Sequence, residues 1–526
     1  MKKIKTGKWS TLLAALVLTT GLSGVAQAAD YTQGLTGAYR SDNKLVKGDG
    51  SSVKKKGNEI IYDFGGRDQS FSVVNQNVIS FSQSGNHFIV NNVDSSNGNK
   101  GTITLRVQNT IPNAFGGATG LNIGSGTTTI HSDLDIQTKA DYLTQGVQVG
   151  GNGTLIIDGN VKMRKDDAEN PWGVVTNNVH GNYGPGGYVT NDGLGYTGAR
   201  WQPSGFYVGE SRGNITVDGD VDIAIRGTAV LTNTYNGADV DPYDLSTITL
   251  NGSSIRIVTP DDERKSDGSF KEAYYSLASF GGTVNVNVKN GEAQNGNVYM
   301  IGNVIASKRS AGTSASDVYQ DGRINVALTT KDSYWKGVVD NFSKEQAGEV
   351  NVWLQNGAKW QHEAASRTNG MDAANMPNYS RPNYGLYDHV SYIHHFYGGT
   401  SSDKTGYLTQ NHESQIHIDN YSGYATVIYQ HNGSGMEKTD YIGGDTTIVH
   451  AVTGSNITLA TGNNGVDIND SNAVAKVLNA LASKLIYSNY RNGESNLSGT
   501  VIIASGLTAS SVKADVSGMI TFDKKT

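Results

Sequence analysis

The sequence has 526 residues, among them 66 glycines, 8 prolines and no cysteine, and its formal net charge is −6. The chain is too long for one ordinary core, and abundant glycine with scarce proline favours many tight turns over a disordered linker. No large basic field exists, so we expect no nucleic-acid partner, and without cysteine the fold must form without disulfides.

The first 28 residues have the pattern of a signal peptide. Residues 1–8 carry four lysines, residues 12–25 form an apolar stretch, and residues 26–28 are Ala-Gln-Ala. This order is typical of a secretion signal, so we predict export through the inner membrane and cleavage before Ala29. A transmembrane anchor is the alternative interpretation, but the apolar stretch is short and is interrupted by threonine, serine and glycine.

A short phrase that recurs along the chain is the strongest structural signal. Each copy is a run of β-branched residues that breaks at Asp-Gly or Asn-Gly, which suits a strand followed by a turn with positive φ. Self-similarity of this kind over hundreds of residues predicts a stacked all-β solenoid rather than a compact domain. The copies are residues 154–163, 215–223, 247–257, 284–291 and 350–360.

Alternation within the strands predicts which side chains fill the interior. In residues 284–289 the three valines share one face, and Asn285, Asn287 and Lys289 share the other, which meets solvent or a neighbour. Asparagine at outward or corner positions is expected to stack into ladders along the axis. Rungs of roughly 20–25 residues would give about 18 rungs, and ~4.8 Å per rung would give a rod on the order of 85 Å long.

The organisation along the chain follows from changes in composition. Residues 29–58 are polar and rich in lysine and are predicted to form a leader or cap, and residues 59–469 are predicted to form the coil. Inside the coil, residues 164–206 and 361–412 are rich in aromatic residues. We predict that these two segments are protruding loops or small subdomains.

The C-terminal segment, residues 470–526, differs from the rest. Residues 470–472 (Asp-Ser-Asn) fit a helix N-cap, and apolar residues at helical spacing over 473–487 predict an amphipathic helix. Two strands are predicted after it, at residues 500–503 and 519–522.

Three segments resemble passenger domains of bacterial autotransporters. Residues 350–360 resemble a repeat phrase of these passengers, and residues 334–341 resemble the companion phrase seen before it. Residues 477–485, with residues 494–499 after them, are similar to the junction before the translocator barrel. The resemblance implies a right-handed parallel β-helix, exported by type V secretion and shown at the cell surface or secreted, often as an adhesin.

The resemblance also implies an outer-membrane translocator barrel as a partner. Such a barrel needs ~10-residue amphipathic strands with aromatic girdles, and no such region is recognisable up to Thr526. We therefore expect the barrel to lie outside this chain. Residues 470–526 would act as an autochaperone-like junction that folds first and nucleates stacking toward the N-terminus.

Aromatic residues of the two predicted loops are the candidate ligand contacts. Aromatic faces stack on sugars and anchor protein partners, so we expect a host or neighbouring-cell surface protein or glycan as partner. A self-packed loop that braces the rod is the alternative interpretation. The candidate residues are Trp172, Trp201, Tyr379, Tyr384, Tyr387, Tyr392, Phe396 and Tyr397.

Motifs for chemistry are weak throughout the sequence. Residues 209–213 fit G-x-S-x-G, but strand-like sequence follows where a nucleophile elbow needs a helix. His412 and His417 are five residues apart in strand-like sequence, which is not the spacing of a helical zinc site. We expect no catalytic residue, no metal and no cofactor.

The sequence supports three hypotheses for function. The first is a display rod and adhesin that is not an enzyme. The second is a secreted β-helical polysaccharide lyase or hydrolase, which predicts a cleft with two carboxylates about 5–9 Å apart. The third is homotypic aggregation through asparagine-rich and threonine-rich faces.

Asp218, Asp220 and Asp222 are predicted on one strand face, which favours a solvated acidic face over a Ca²⁺ site.

Overall fold

A computed structural model gives the fold of the chain. In the described part, no helix is long and apolar enough to cross a membrane. The predicted signal peptide, residues 1–28, lies outside the described residues. The structure describes residues 29–31, 35, 51–109, 119–140, 145–163, 204–209, 212–225, 228–233, 246–259, 275–279, 281–306, 321–340, 344, 347–365, 390–433, 435–462, 467, 469–488, 496–504 and 511–515.

Short strands dominate the described chain. The first half contains β1 (Ala29–Tyr31), β2 (Ser52–Lys56), β3 (Glu59–Asp63), β4 (Gln69–Val74), β5 (Ile79–Asn91), β6 (Thr102–Asn109), β7 (Thr119–His131), β8 (Asp133–Ala140), β9 (Gln145–Val149), β10 (Thr154–Ile157), β11 (Val161–Met163), β12 (Ser204–Gly209), β13 (Asn214–Val217), β14 (Val221–Ala224), β15 (Thr228–Asn233), β16 (Thr247–Leu250), β17 (Ser254–Val258) and β18 (Tyr275–Ser279). The second half contains β19 (Gly282–Val286), β20 (Val288–Lys289), β21 (Glu292–Ala293), β22 (Asn297–Ile301), β23 (Asn303–Ala306), β24 (Gly322–Leu328), β25 (Tyr334–Lys336), β26 (Glu349–Leu354), β27 (Lys359–His362), β28 (Val390–Tyr397), β29 (Gly406–Gln410), β30 (Gln415–Ser422), β31 (Tyr424–Tyr429), β32 (Thr446–Ala451), β33 (Ser455–Thr461), the helix α1 (Ser471–Ala482), β34 (Leu485–Tyr487), β35 (Leu497–Ala504) and β36 (Ser511–Asp515).

Most of these strands belong to two large sheets. Sheet A has 15 strands in the order β1-β4-β6-β8-β11-β14-β17-β22-β25-β27-β29-β31-β33-β35-β36, and only its last pair is antiparallel. Sheet B has 19 strands. In sheet B, one parallel ladder runs from β3 to β34 and another from β5 to β23, and the two share β5 and β7.

The pairing shows how the chain coils. Along the two sheets, nearly every strand lies in parallel beside the strand one turn earlier and the strand one turn later, so the fold is an all-β parallel β-helix, as predicted. The hand of the coil stays a prediction. The expected count of about 18 rungs is too high for the described chain, because sheet A has only 15 strands.

The recurrent sequence phrases lie in one ladder. The first apolar residue of each phrase pairs with that of the next, except that Ile324 of β24 lies between the last two phrases, and every member of this column is fully buried. Burial of such a side chain contributes roughly 1.5–3 kcal/mol, so a continuous apolar column stabilises each rung on its neighbours. The column consists of Leu155, Ile215, Ile248, Val284, Ile324 and Val350.

Aromatic side chains stack inside the coil in the same way. The rings of Trp335 and Trp360 lie 4.4 Å apart and nearly parallel, on the paired strands β25 and β27. Both indoles are fully buried, and each indole N–H donates to a backbone carbonyl. The resemblance phrases at 334–341 and 350–360 therefore supply two consecutive layers of the core.

The alternation predicted for residues 284–289 is right for the valines and wrong for one asparagine. The three valines are buried, and Lys289 is exposed. Asn287, however, is fully buried with φ 57°, and its amide bonds backbone groups of Gly296 and Ala327. Asn287 tolerates this left-handed conformation because its short amide satisfies backbone groups at the corner.

The glycines of the repeated turns are of two kinds. Asn290-Gly291 and the corresponding 356–357 pair do have positive φ, as predicted. In contrast, Gly159 and Gly219 have no positive φ, so that prediction is wrong for them. A Cβ on Gly219 would lie 2.1 Å from the backbone oxygen of Gly159 on the previous rung. These glycines are needed because neighbouring rungs touch at this corner.

The structure changes the predicted boundaries near the N-terminus and at the two loops. β1 pairs in parallel with β4, and β2 pairs with β3, so strands of the stack begin before residue 59. β12 belongs to the ladder although residues 204–206 were predicted to lie in a loop. Likewise β28 and β29 are rungs inside the predicted 361–412 loop. Residues 164–203 and 366–389 of the two predicted loops lie outside the described residues.

The predicted C-terminal helix is confirmed in its first part. Asp470 is the N-cap, and its side chain accepts hydrogen bonds from the backbone N–H groups of Asn472 and Ala473. The helix ends at Ala482 rather than at residue 487, because residues 485–487 pair with β32 as β34. The predicted strand at 500–503 is part of β35, and residues 519–522 lie outside the described residues.

We expect Gly219→Ala to destabilise the coil by roughly 1–3 kcal/mol, because the added methyl group overpacks the contact between rungs. Urea unfolding monitored by circular dichroism measures this loss. Gly462→Ala is the matched control, because a Cβ there meets no atom within 4 Å and φ is not positive. Equal stability of the two variants would contradict the proposed role of Gly219.

Candidate functional site

A group of aromatic, histidine and charged residues lies on the outer face of sheet B. It is built by the paired strands β26, β28 and β30, together with Lys344 from the preceding loop. We call this group the aromatic–histidine surface. It consists of Trp353, Tyr392, His394, His395, Tyr397, His417, Asp419 and Lys344.

Register between the strands produces the aromatic contacts. Trp353 pairs with Tyr397, and their rings stack with centroids 4.4 Å apart and an angle of 14°. The His395 ring stacks against Tyr397 at 5.6 Å, and the Tyr392 ring lies 5.5 Å from His417. Since the two stacked pairs hold rigid rings at partly exposed positions, this face presents a preformed aromatic platform.

The strand β28 departs from simple alternation. His394 and His395 are consecutive, and both are partly exposed, whereas Phe396 after them is 1% exposed and stacks on Tyr421 inside the coil. Phe396 was a candidate ligand contact, and the structure places it in the core. Its prediction as a surface residue is wrong, because the irregularity shifts the inward phase by one residue.

Asp419 is the electrostatic centre of the surface. Its carboxylate lies 3.2 Å from His417 Nε2, 3.4 Å from His394 Nδ1 and 3.4 Å from Lys344 Nζ. Burial acts to raise the pKa of Asp419, but hydrogen bonds from the two histidines outweigh burial and hold that pKa well below its usual range. The surface therefore contains the ionised carboxylate of Asp419, with the Lys344 ammonium and the imidazoles of His394 and His417 around it.

The two adjacent histidines differ in protonation. The hydrogen bond to Asp419 raises the pKa of His394. Burial lowers the pKa of His395, and the neighbouring His394 lowers it further. At any pH near neutrality His394 is thus protonated to a greater extent than His395.

A ladder of asparagine amides leads into the surface, as expected from the sequence. Asn351 Nδ2 donates to Asn325 Oδ1 at 2.8 Å, and Asn325 Nδ2 donates to Asn285 Oδ1 at 2.7 Å. The next residue in register after Asn351 is His395. The ladder thus links successive rungs of sheet B by side-chain hydrogen bonds up to the aromatic platform.

Of the predicted ligand contacts, Tyr392 and Tyr397 lie on the aromatic–histidine surface. Trp353 and Asp419 were not predicted as contacts, although their outward positions in the 350–360 phrase and in β30 indicate both. The predicted contacts that lie outside the described residues are Trp172, Trp201, Tyr379, Tyr384 and Tyr387.

The three aspartates that were predicted to share one strand face do not all lie on a strand. Asp218 and Asp220 lie in the turn between β13 and β14, so only Asp222 is on a strand. Asp218 lies 3.6 Å from Lys289, and Asp222 lies 3.0 Å from Arg256. Among the described residues, no group of three or more histidine, aspartate or glutamate side chains could hold a metal ion.

No protein-family model matches this chain, no curated protein matches it, and no solved structure matches it.

Beneath the surface lies a buried histidine. His362 Nε2 contacts Ser391 Oγ at 3.0 Å, and Nδ1 pairs with the side-chain oxygen of Gln410. Complete burial lowers the pKa of His362 to about 3, with a further contribution from the charge of His412. His362 is therefore neutral in the folded protein over the physiological range.

We expect acid to destabilise the protein through His362. Its ordinary pKa is 6.5, so below that value the unfolded chain binds a proton that the folded chain does not bind until about pH 3. The stability contributed by neutral His362 is present above pH 6.5 and is lost at about 1.4 kcal/mol per pH unit below it. Urea unfolding between pH 7 and pH 4 measures this slope. His362→Gln should flatten it, and His450→Gln, at an exposed histidine of β32, should not.

We expect Asp419→Asn to lower the pKa of His394, because the variant removes the carboxylate that favours the imidazolium. Titration of the imidazole resonances by NMR measures the shift. Asp403→Asn is the control, since Asp403 is an exposed carboxylate that bonds Ser401 away from the histidines. An unchanged pKa of His394 in Asp419→Asn would show that the ion pair does not form.

Proposed function

We propose that the chain is the passenger domain of a bacterial autotransporter that acts as a display rod and adhesin. In this proposal residues 1–28 direct export, an outer-membrane translocator acts as partner, and the coil is shown at the cell surface or released. The observation that carries the adhesive role is the aromatic–histidine surface, a ready-made contact patch on the outer face of sheet B.

The composition of this surface supports protein or glycan recognition. Aromatic side chains with few rotatable bonds supply large contact area at a low entropic cost, and they are enriched among residues that dominate binding. Trp353 and Tyr397 are already stacked, so little ordering is needed when a partner binds. Asp419 and Lys344 add charged groups around the platform, which favours a specific orientation of the partner.

The location of the patch also supports a display function. A parallel stack holds β26, β28 and β30 by backbone hydrogen bonds along their shared register. The partner proposed is a protein or glycan on a host or neighbouring cell. Homotypic aggregation stays an alternative, supported by the amide ladder on the same face.

We expect the double variant Trp353→Ala and Tyr397→Ala to reduce adhesion at least tenfold, because it removes both rings of the platform. Binding of purified protein to a panel of host and bacterial cells measures the effect by flow cytometry. Thermal unfolding of the same samples confirms that the variant is folded.

Ile442→Ala is the control for this experiment, because Ile442 is 38% exposed and lies outside the platform. Its adhesion should equal that of the wild type. Adhesion that survives the double variant would refute the platform as the contact site, and a wild-type protein that binds no cell type would refute the adhesin proposal itself.

A further inference from the structure

A polar groove lies on the outer face of sheet A, whereas the aromatic–histidine surface lies on sheet B. It encloses about 500 Å³ and crosses the strands β6, β8, β11, β14 and β17. It is lined by Thr102, Asp133, Leu134, Asp135, Asn160, Val161, Lys162, Asp220, Val221, Asp222, Ser254 and Arg256.

Charges alternate along the groove in register. Asp135 pairs with Lys162, Lys162 pairs with Asp222, and Asp222 pairs with Arg256 across successive strands. The hydrogen-bonding groups therefore alternate along the groove at the rung spacing of ~4.8 Å. Asp135 and Asp222 are acceptors, and Lys162 and Arg256 are donors. Of these four, only Asp222 and Arg256 are joined directly, through a contact at 3.0 Å.

Two tyrosines continue the same row. Tyr299 follows Arg256 in register, and Tyr334 follows Tyr299. The Arg256 guanidinium carbon lies 6.0 Å from the centre of the Tyr299 ring, and the two tyrosine rings lie 5.5 Å apart. Tyr299 is 39% exposed, so part of its ring is open to solvent directly beyond the charged row.

The polar groups of the groove divide into fixed and free ones. Asp133 and Asp220 each accept a backbone N–H from the next rung, at 2.8 and 2.9 Å, so they hold rungs together. Asp135 accepts a hydrogen bond from Gln137 with one oxygen, and its other oxygen is buried without a hydrogen bond. Lys162 is exposed, and no ion pair joins it to a carboxylate among the described residues.

We propose that this groove binds a glycan chain that lacks carboxylate and sulfate groups and runs along the stack. Sugar hydroxyls both donate and accept, so they match the alternating carboxylate and cationic groups on adjacent rungs. The partly exposed Tyr299 ring suits contact with the apolar face of a pyranose ring. Four carboxylates against two cations in the lining disfavour an anionic chain and favour neutral or amino sugars.

The same contacts indicate binding without cleavage. Hydrolysis of a glycosidic bond needs one carboxylic acid that holds a proton and a second free carboxylate. Asp222 is paired with Arg256, and Asp133 and Asp220 each accept a backbone N–H with one oxygen. Three of the four carboxylates in the lining are thus engaged as fixed acceptors, which favours binding over hydrolysis.

Isothermal titration calorimetry of the full chain with three hexamers tests the proposal: cellohexaose, the glucosamine hexamer and the galacturonate hexamer. We expect the first two to bind, and the galacturonate hexamer to bind at least tenfold more weakly. Tyr299→Ala should weaken binding roughly fivefold to tenfold through loss of stacking. Lys162→Ala should weaken cellohexaose binding by a smaller factor.

The control is Asp218→Asn, which removes an ion-paired carboxylate that does not line the groove and should leave affinity unchanged. Tightest binding of the galacturonate hexamer, no binding of any hexamer, or full affinity in Tyr299→Ala would overturn the proposal. Release of reducing ends would overturn the assignment as non-catalytic. Trp353→Ala with Tyr397→Ala should leave hexamer binding intact, so this site and the adhesive platform can fail separately.

Discussion

The structure depends on the contact between one turn of the coil and the next. Parallel backbone hydrogen bonds set the distance between rungs at ~4.8 Å, and every residue must fit that distance. Within the strands, side chains that point the same way therefore line up in columns along the stack, such as the apolar column that includes Leu155 and Ile215. At the corner it leaves no room for a side chain, which is why Gly219 lies against the Gly159 carbonyl.

Polar groups meet the same constraint by bonding from rung to rung. The Asp133 and Asp220 carboxylates accept backbone N–H groups of the following turn, and the Asn325 and Asn351 amides bond in a chain. Each hydrogen bond contributes only about 1 kcal/mol, but the series repeats along the stack. A chain without cysteine is thus held together by repetition of weak contacts instead of covalent bridges.

Repetition also explains how surfaces arise on a regular coil. Residues far apart in sequence become neighbours at the rung spacing, as Trp353 and Tyr397 do on sheet B. On sheet A the same rule places Asp222, Arg256 and Tyr299 in one row. Two faces of different chemistry therefore follow from one register, and a single rod can carry two binding functions.

The sequence by itself determined the class of fold and the inward face of most strands. β-Branched runs with alternating polarity encode both, because strand pleating is a local property; the cap at Asp470 is local in the same way. Tertiary structure alone decided why Gly219 is glycine, why Asn287 is buried, and why residues 485–487 are a strand. It also decided which rings meet in the aromatic–histidine surface and placed Phe396 in the core. Those outcomes depend on which turn of chain lies beside which, and loops of unequal length between the phrases conceal that register from the sequence.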